Sequence, residues 1–80
     1  MGKDKYGIVY TEPMRDPELS LRAKGLYALL ATYADKERKC FPSISTLCNE
    51  SQVSKRTIQR LIKELKNKNY VQREGRFFYL

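Results

Sequence analysis

Apolar residues recur at helical spacing in three separate stretches of this chain. The first stretch follows the i, i+3, i+4, i+7 pattern of one helix face and comprises Leu26, Leu29, Leu30 and Tyr33. Ser20 lies just before it, in the position of an N-cap. The pattern therefore predicts a first helix over residues 21–34, whose apolar stripe packs in the core.

Two further helices are predicted close together. The second begins after Ser43, and its apolar face comprises Ile44, Leu47 and Cys48. A polar turn is predicted over residues 49–52. Ser54 then caps a third helix that ends near Lys68, and its apolar stripe comprises Ile58, Leu61, Ile62 and Leu65. Both helices present one apolar face, so both are expected to pack on a common core.

Short β-prone segments flank the helices. Residues 6–10, with the sequence Y-G-I-V-Y, predict a short strand or an extended arm, and residues 12–17, with two prolines, predict a loop. Cys40 and Phe41 predict a very short strand. After the third helix, residues 70–73 and 76–80 predict two strands that form a hairpin.

The turn of this hairpin is predicted at Glu74 and Gly75, and Phe78 alternates with Phe77 and Tyr79 along its second strand. Because successive strand residues point to opposite faces, one of these two sets is expected to pack on the helices. The pattern predicts an α+β fold, mainly α, with three helices and a C-terminal hairpin that forms a wing.

The composition is that of one folded domain. The chain has 80 residues and is 41% hydrophobic, which suits a modest core. We expect a disordered tail or an expression remnant over residues 1–5 and one domain over residues 6–80. The longest apolar run, residues 26–31, is far too short to span a membrane, and no signal-type leader follows Met1. A soluble, cytoplasmic protein without a membrane partner is expected.

Positive charge is concentrated in the C-terminal part of the chain. Residues 55–76 contain eight basic and two acidic residues, a net of +6, whereas the other 58 residues carry +1 of the total +7. A concentrated positive field indicates a polyanionic partner. The alternative is an ordinary solvated basic face.

Several classes of function are disfavoured by what the sequence lacks. The chain has no histidine, which removes the commonest general base and a frequent metal ligand. Its four glycines are scattered, so they form no phosphate-binding loop. Cys40 and Cys48 are interpreted as small buried apolar residues, not as a disulfide or metal site. No catalytic site, metal, cofactor or small-molecule ligand is expected.

Two helices joined by a tight turn, the second of them basic, form the helix-turn-helix pattern. On the third helix, Arg56, Arg60 and Lys63 point within about 40° of the direction opposite the apolar stripe. Arginine pairs with guanine, glutamine with adenine, and hydroxyl groups or a helix N-terminus with phosphate. The candidate DNA-binding residues are Ser54, Lys55, Arg56, Thr57, Gln59, Arg60, Lys63, Arg73 and Arg76.

The segments Leu47-Cys48, Val53-Ser54, Arg56-Thr57-Ile58 and Arg60-Leu61 resemble the helix-turn-helix signature. Together with Cys40-Phe41-Pro42-Ser43 and Tyr70-Val71, they resemble a winged-helix family found at the N-termini of bacterial plasmid and phage replication initiators and of DnaD-like primosomal proteins. The resemblance implies a double-stranded DNA-binding module of a replication initiator. One departure is Gln52, where many helix-turn-helix proteins have glycine in a left-handed turn.

Two other functions fit the same pattern. One is a transcriptional regulator with the same fold, and the other is a winged helix used for protein interaction or dimerisation, which an exposed apolar wing or arm would favour. A homodimer is also expected, because Tyr6, Ile8 and Tyr10 alternate on one side of the N-terminal segment. Single-stranded DNA is disfavoured, since the basic residues lie on a helix and not in an aromatic groove.

Overall fold

The computed structural model describes residues 7–75 and 77–80, which form four helices and a three-stranded antiparallel sheet. The elements in chain order are α1 Thr11–Arg15, α2 Leu21–Ala31, β1 Lys39–Cys40, α3 Ile44–Ser51, α4 Lys55–Asn67, β2 Gln72–Glu74 and β3 Phe77–Tyr79. The predicted first, second and third helices are α2, α3 and α4. The order of elements is that of a winged helix-turn-helix, and the predicted fold class is confirmed.

A serine caps each of the three long helices, as the sequence predicted. The Oγ atoms of Ser20, Ser43 and Ser54 accept hydrogen bonds from the backbone N–H three residues later, at 3.1, 3.0 and 3.2 Å. Each bond satisfies one of the N–H groups that have no partner in the first turn of a helix. These caps fix where α2, α3 and α4 begin.

The helix ends differ from the predicted ones. α2 ends at Ala31, three residues early, because residues 32–34 tighten into turns in which Tyr33 N–H donates to the Leu30 carbonyl and Ala34 N–H to the Ala31 carbonyl. α3 continues to Ser51, so the predicted polar turn over residues 49–52 was too long. Gln52 follows directly and makes the turn with a left-handed backbone.

The loop predicted over residues 12–17 was wrong, because α1 occupies Thr11–Arg15. Pro13 lies in the first turn of α1, where a missing N–H costs nothing since that group has no acceptor within the helix. Residues 7–10 belong to no helix or strand, so the predicted short strand is absent there, and Tyr10 has an extended backbone. Tyr6 and the predicted tail over residues 1–5 lie outside the described residues.

The sheet has the strand order β1-β3-β2. Cys40 pairs with Phe78 and Arg73 with Phe78, so these three residues share the inner face of the sheet. Lys39, Phe77 and Tyr79 lie on its outer face, together with Gln72 and Glu74. Gly75 turns the hairpin with a φ of 57°, a conformation that favours glycine. The hairpin prediction is therefore confirmed, with strands shorter than expected.

The core lies between the helices and the inner face of the sheet. α2 and α3 both pack on α4, and the largest fully buried side chains are Tyr27, Phe78, Leu30, Leu47, Ile58, Leu65, Val71 and Cys40. All four residues of the predicted stripe on α4 are buried. Among the described residues, no helix combines the length and the apolar character that a bilayer span requires.

The two cysteines differ in burial, and we expect them to differ in reactivity. Burial raises the pKa of Cys40 to about 11, whereas Cys48 is only partly buried. Because the thiolate is the reactive form, Cys40 should resist a thiol reagent in the native protein near pH 8. Labelling should show one fast thiol that Cys48→Ser removes and a second that reacts only on unfolding. Equal rates for both thiols in native protein would contradict this.

Candidate nucleic-acid interface

The turn between α3 and α4 sets the angle at which α4 leaves the body of the domain. Gln52 occupies it with φ 60° and ψ 31°, and its N–H donates to the Cys48 carbonyl at 2.9 Å. Its side-chain Nε2 donates to the Asn49 carbonyl at 2.6 Å. Gln52 thus adopts the left-handed conformation for which glycine is usual, and the helix-turn-helix geometry is kept.

Replacing Gln52 with glycine should stabilise the fold. A residue with a Cβ in the left-handed region costs about 1–2 kcal/mol, and the exposed hydrogen bond to Asn49 offsets part of this cost. We expect Gln52→Gly to raise the free energy of unfolding in urea by about 1 kcal/mol.

Asn69 provides the matched control for this substitution. It also has a positive φ, 63°, but asparagine tolerates that conformation better than glutamine does. Asn69→Gly should therefore gain less than Gln52→Gly. A loss of stability in Gln52→Gly, or an equal gain in both variants, would show that the turn is not strained at Gln52.

α4 presents a continuous polar face to solvent. The residues exposed on this helix are Lys55, Arg56, Gln59, Arg60, Lys63, Lys66 and Asn67. Thr57, another predicted site residue, is half-buried, and its Oγ1 accepts a hydrogen bond from Ser54 Oγ at 3.1 Å. The Thr57 hydroxyl proton stays available to an acceptor, so Ser54 and Thr57 together present a hydroxyl pair at the helix N-terminus.

Glu64, the single acidic residue of α4, is directed away from this face. Its carboxylate accepts hydrogen bonds from the N–H of Ser20 at 2.8 Å and from Ser20 Oγ at 2.9 Å. The carboxylate therefore lies at the N-terminus of α2, where a negative charge is favourable. All the charged side chains on the exposed face of α4 are consequently positive.

A cluster of ion pairs ties the end of α4 to the loop that precedes α2. Lys68 Nζ lies 3.2 Å from Asp16 and 3.0 Å from Glu18, and the Tyr70 hydroxyl donates to Asp16 at 2.8 Å. The Glu18 N–H, the Tyr70 hydroxyl and the Lys68 ammonium hold the pKa of Asp16 below its ordinary value. The positive charge of Lys68 is thus balanced by two carboxylates, and the surface with unpaired basic side chains on α4 ends before this residue.

A groove lies between α4 and the wing. Its volume is about 420 Å³, and it is lined by Gln59, Ile62, Lys63, Lys66, Asn67 and Arg73. The guanidinium of Arg73 lies 5.2 Å from the centroid of the buried Phe78 ring, which holds the side chain on the inner face of the sheet. Three cations thus line one groove, which suits the phosphate backbone of a nucleic acid.

A hollow of about 390 Å³ borders the other end of α4. Ser45 and Asn49 of α3 line it with Lys55, and both α3 residues are exposed. Hydroxyl and amide groups of this kind contact phosphate oxygens. Ser45 and Asn49 are not among the residues predicted from the sequence, because the polar face of so short a helix is not informative until its orientation is known.

The order and turn geometry of α3 and α4 are those of a helix-turn-helix. The model of a helix-turn-helix domain matches residues 18–71, more than half of the chain. The chain belongs to this family of helix-turn-helix domains. Searches of curated proteins and of solved structures find no match to it.

The helix-turn-helix match begins just before α2 and ends before β2, so the wing strands are known from the structure alone. Helix-turn-helix domains place their second helix in the major groove of DNA. Membership therefore supports DNA binding by α4. Of the nine predicted site residues, eight lie along α4, its cap and the wing groove, while Arg76 lies outside the described residues.

Proposed function

We propose that this domain binds double-stranded DNA sequence-specifically, with α4 in the major groove. The observation that supports this most is the exposed face of α4, where five cations and two amides face solvent and the one carboxylate is bound to Ser20. The major groove is wide enough for one such helix. An unrelated solvated helix face usually carries charges of both signs.

The residues of the interface take different roles in this proposal. Arg56, Gln59 and Arg60 lie in the N-terminal half of α4, the part that reaches base edges in helix-turn-helix complexes. Lys63 and Arg73 line the wing groove and hold one phosphate backbone, while Lys55, with Ser45 and Asn49, holds the backbone at the other end. Base contacts then give specificity, and phosphate contacts give most of the affinity.

We further propose that the domain serves a plasmid, phage or mobile-element replication initiator. Support comes from the likeness of Cys40-Phe41-Pro42-Ser43, the α4 segment and Tyr70-Val71 to the winged helices of such initiators. A transcriptional regulator would use the same interface, and the fold does not distinguish the two. A second copy of the domain is expected on DNA in either role, because both kinds of protein bind repeated or palindromic sites.

Selection of bound duplexes from a random library tests the proposal. We expect enrichment of one motif of about 4–6 base pairs per domain, since a single recognition helix contacts few base pairs. Repeated copies of the motif near a replication origin would support an initiator, and one site beside a promoter would support a regulator. Failure to enrich any sequence over the input would overturn specific recognition.

A further inference from the structure

The Ser20–Glu64 contact joins the start of α2 to the C-terminal half of α4. Glu64 accepts one hydrogen bond from the Ser20 N–H at 2.8 Å and a second from Ser20 Oγ at 2.9 Å. The same Oγ accepts a hydrogen bond from the Ala23 N–H. In a local capping box, a glutamate three residues after the serine would accept from the serine N–H. Ala23 occupies that position, and the carboxylate comes instead from Glu64 of α4.

Buried neighbours anchor both sides of the Ser20–Glu64 contact in the core. Leu19 precedes Ser20 and is 3% exposed, and Leu65 follows Glu64 and is fully buried. Glu64 itself is half-buried. Two hydrogen bonds to one carboxylate constrain its orientation as well as its position. The contact therefore limits the rotation of α4 about its own axis relative to α2.

A contact of opposite polarity lies one helical turn farther, at the end of α4. Lys68, four residues after Glu64, lies 3.2 Å from Asp16 and 3.0 Å from Glu18. A shift of α4 that brought Glu64 to the place of Lys68 would set it against these two carboxylates, and like charges in contact are unfavourable. The order of charges along this edge therefore fixes the position of α4 along its axis.

Arg60 lies one turn before Glu64, on the exposed face of α4. At about 100° per residue, the two side chains leave the helix about 40° apart. Because Ser20 holds the Glu64 carboxylate, Arg60 stays free of it, and none of the ion pairs among the described residues involves Arg60. A rotation of α4 by about 20° would move a group about 6 Å from the helix axis by about 2 Å. Hydrogen bonds to base edges do not tolerate such a displacement.

We propose that Glu64 is a positioning residue for sequence recognition, which sets through Ser20 the rotation of α4 at which Arg56 and Arg60 reach base edges. This inference rests on the proposed function, and it assigns specificity to a side chain that does not touch DNA.

Two simpler roles of Glu64 make a different prediction. A residue that only stabilises the fold alters the folded fraction, which changes the apparent affinity for every duplex by the same factor. A residue that acts only through its negative charge also alters affinity for every duplex alike, because that effect does not depend on sequence. The specificity ratio, defined as the dissociation constant for random duplex divided by that for the best duplex, is therefore changed by positioning and by neither simpler role.

The test compares Glu64→Ala with Glu64→Gln by fluorescence anisotropy on the best and on a random duplex. Both variants remove the same charge, but glutamine keeps an oxygen that accepts from the Ser20 N–H and an amide group that donates to Ser20 Oγ. Glu64→Ala should lower the specificity ratio by about tenfold, the scale of one lost base contact. Glu64→Gln, the matched control, should keep the ratio within about twofold of the wild-type value.

Two further measurements test whether Glu64 acts through Ser20. The double variant Ser20→Ala, Glu64→Ala should have the same specificity ratio as Glu64→Ala, since the contact is already lost in the single variant. In the free protein, hydrogen exchange of the Ser20 amide should be slow in wild type and in Glu64→Gln, and fast in Glu64→Ala.

Three results would overturn the positioning role. The first is a Glu64→Ala variant that keeps the wild-type specificity ratio, whatever happens to its affinity. The second is an equal fall of the ratio in both Glu64 variants, because glutamine keeps both hydrogen bonds. The third is a further fall in the double variant, because Ser20 would then act independently of Glu64. A wild-type ratio of about 1 would instead contradict sequence-specific binding itself, and the positioning role would fall with it.

Discussion

Phe78→Ala is expected to remove about 3–5 kcal/mol from the free energy of unfolding, the usual cost of truncating a buried aromatic side chain. Phe78 is 1% exposed and lies in the central strand, paired with Cys40 on one side and Arg73 on the other. A domain of this size is stabilised by only about 4–12 kcal/mol in total. The variant should therefore be either marginally stable or largely unfolded at 37 °C. Urea denaturation and near-ultraviolet circular dichroism would show the loss of stability.

Phe77→Ala is the matched control, because it makes the same chemical change one position earlier. Phe77 is half-buried on the outer face, so its truncation should cost about 1 kcal/mol or less. Equal losses for Phe77→Ala and Phe78→Ala would mean that the inner and outer faces of the sheet have been assigned wrongly.

Arg56→Ala and Arg60→Ala are each expected to weaken binding to the best duplex by about 1–3 kcal/mol and to weaken binding to random DNA much less. Both side chains are exposed on the N-terminal half of α4, where a guanidinium can pair with a guanine edge. Stability should change by no more than about 0.5 kcal/mol, since no buried atom is lost. Fluorescence anisotropy with specific and random duplexes measures both effects.

Two further arginines serve as controls that separate base contacts from phosphate contacts. Arg73→Ala removes a groove cation, so it should weaken specific and random binding about equally and lower the salt slope by about 1. Arg22→Ala removes an exposed arginine from α2, outside the interface, and should change neither. If Arg56→Ala and Arg60→Ala lose equal affinity for both duplexes, α4 binds phosphates without recognising sequence.

Local rules recovered most of the fold from the sequence. The three serine caps and the stripe centred on Ile58 fixed the starts and inner faces of the long helices, because capping and periodicity depend on neighbours in the chain. Pro13 favoured the wrong prediction of a loop, since a proline is compatible with a loop and with the first turn of a helix alike. The predicted strand ends differ from the observed ones by one or two residues, because the ends of short strands depend on pairing with residues distant in sequence.

Only the part of the candidate site that lies on the exposed face of α4 could be predicted from the sequence. Exposure of Arg56, Arg60 and Lys63 follows from the position of the apolar stripe. The role of Glu64 did not follow, because its partner Ser20 is 44 residues away in sequence. The ion pairs of Lys68 with Asp16 and Glu18 did not follow either, because these carboxylates are also distant from Lys68 in sequence. Periodicity gives the direction of a side chain and not the identity of its distant partners.

The salt dependence of duplex binding tests DNA recognition by α4 and the wing groove most directly. With about five phosphates neutralised, the logarithm of the association constant should fall against the logarithm of salt concentration with a slope near −4 to −5. Anisotropy of a labelled duplex between about 50 and 200 mM salt covers the useful range. Absence of binding to any duplex at the lowest salt concentration, in a chain shown to be folded, would contradict the proposed function.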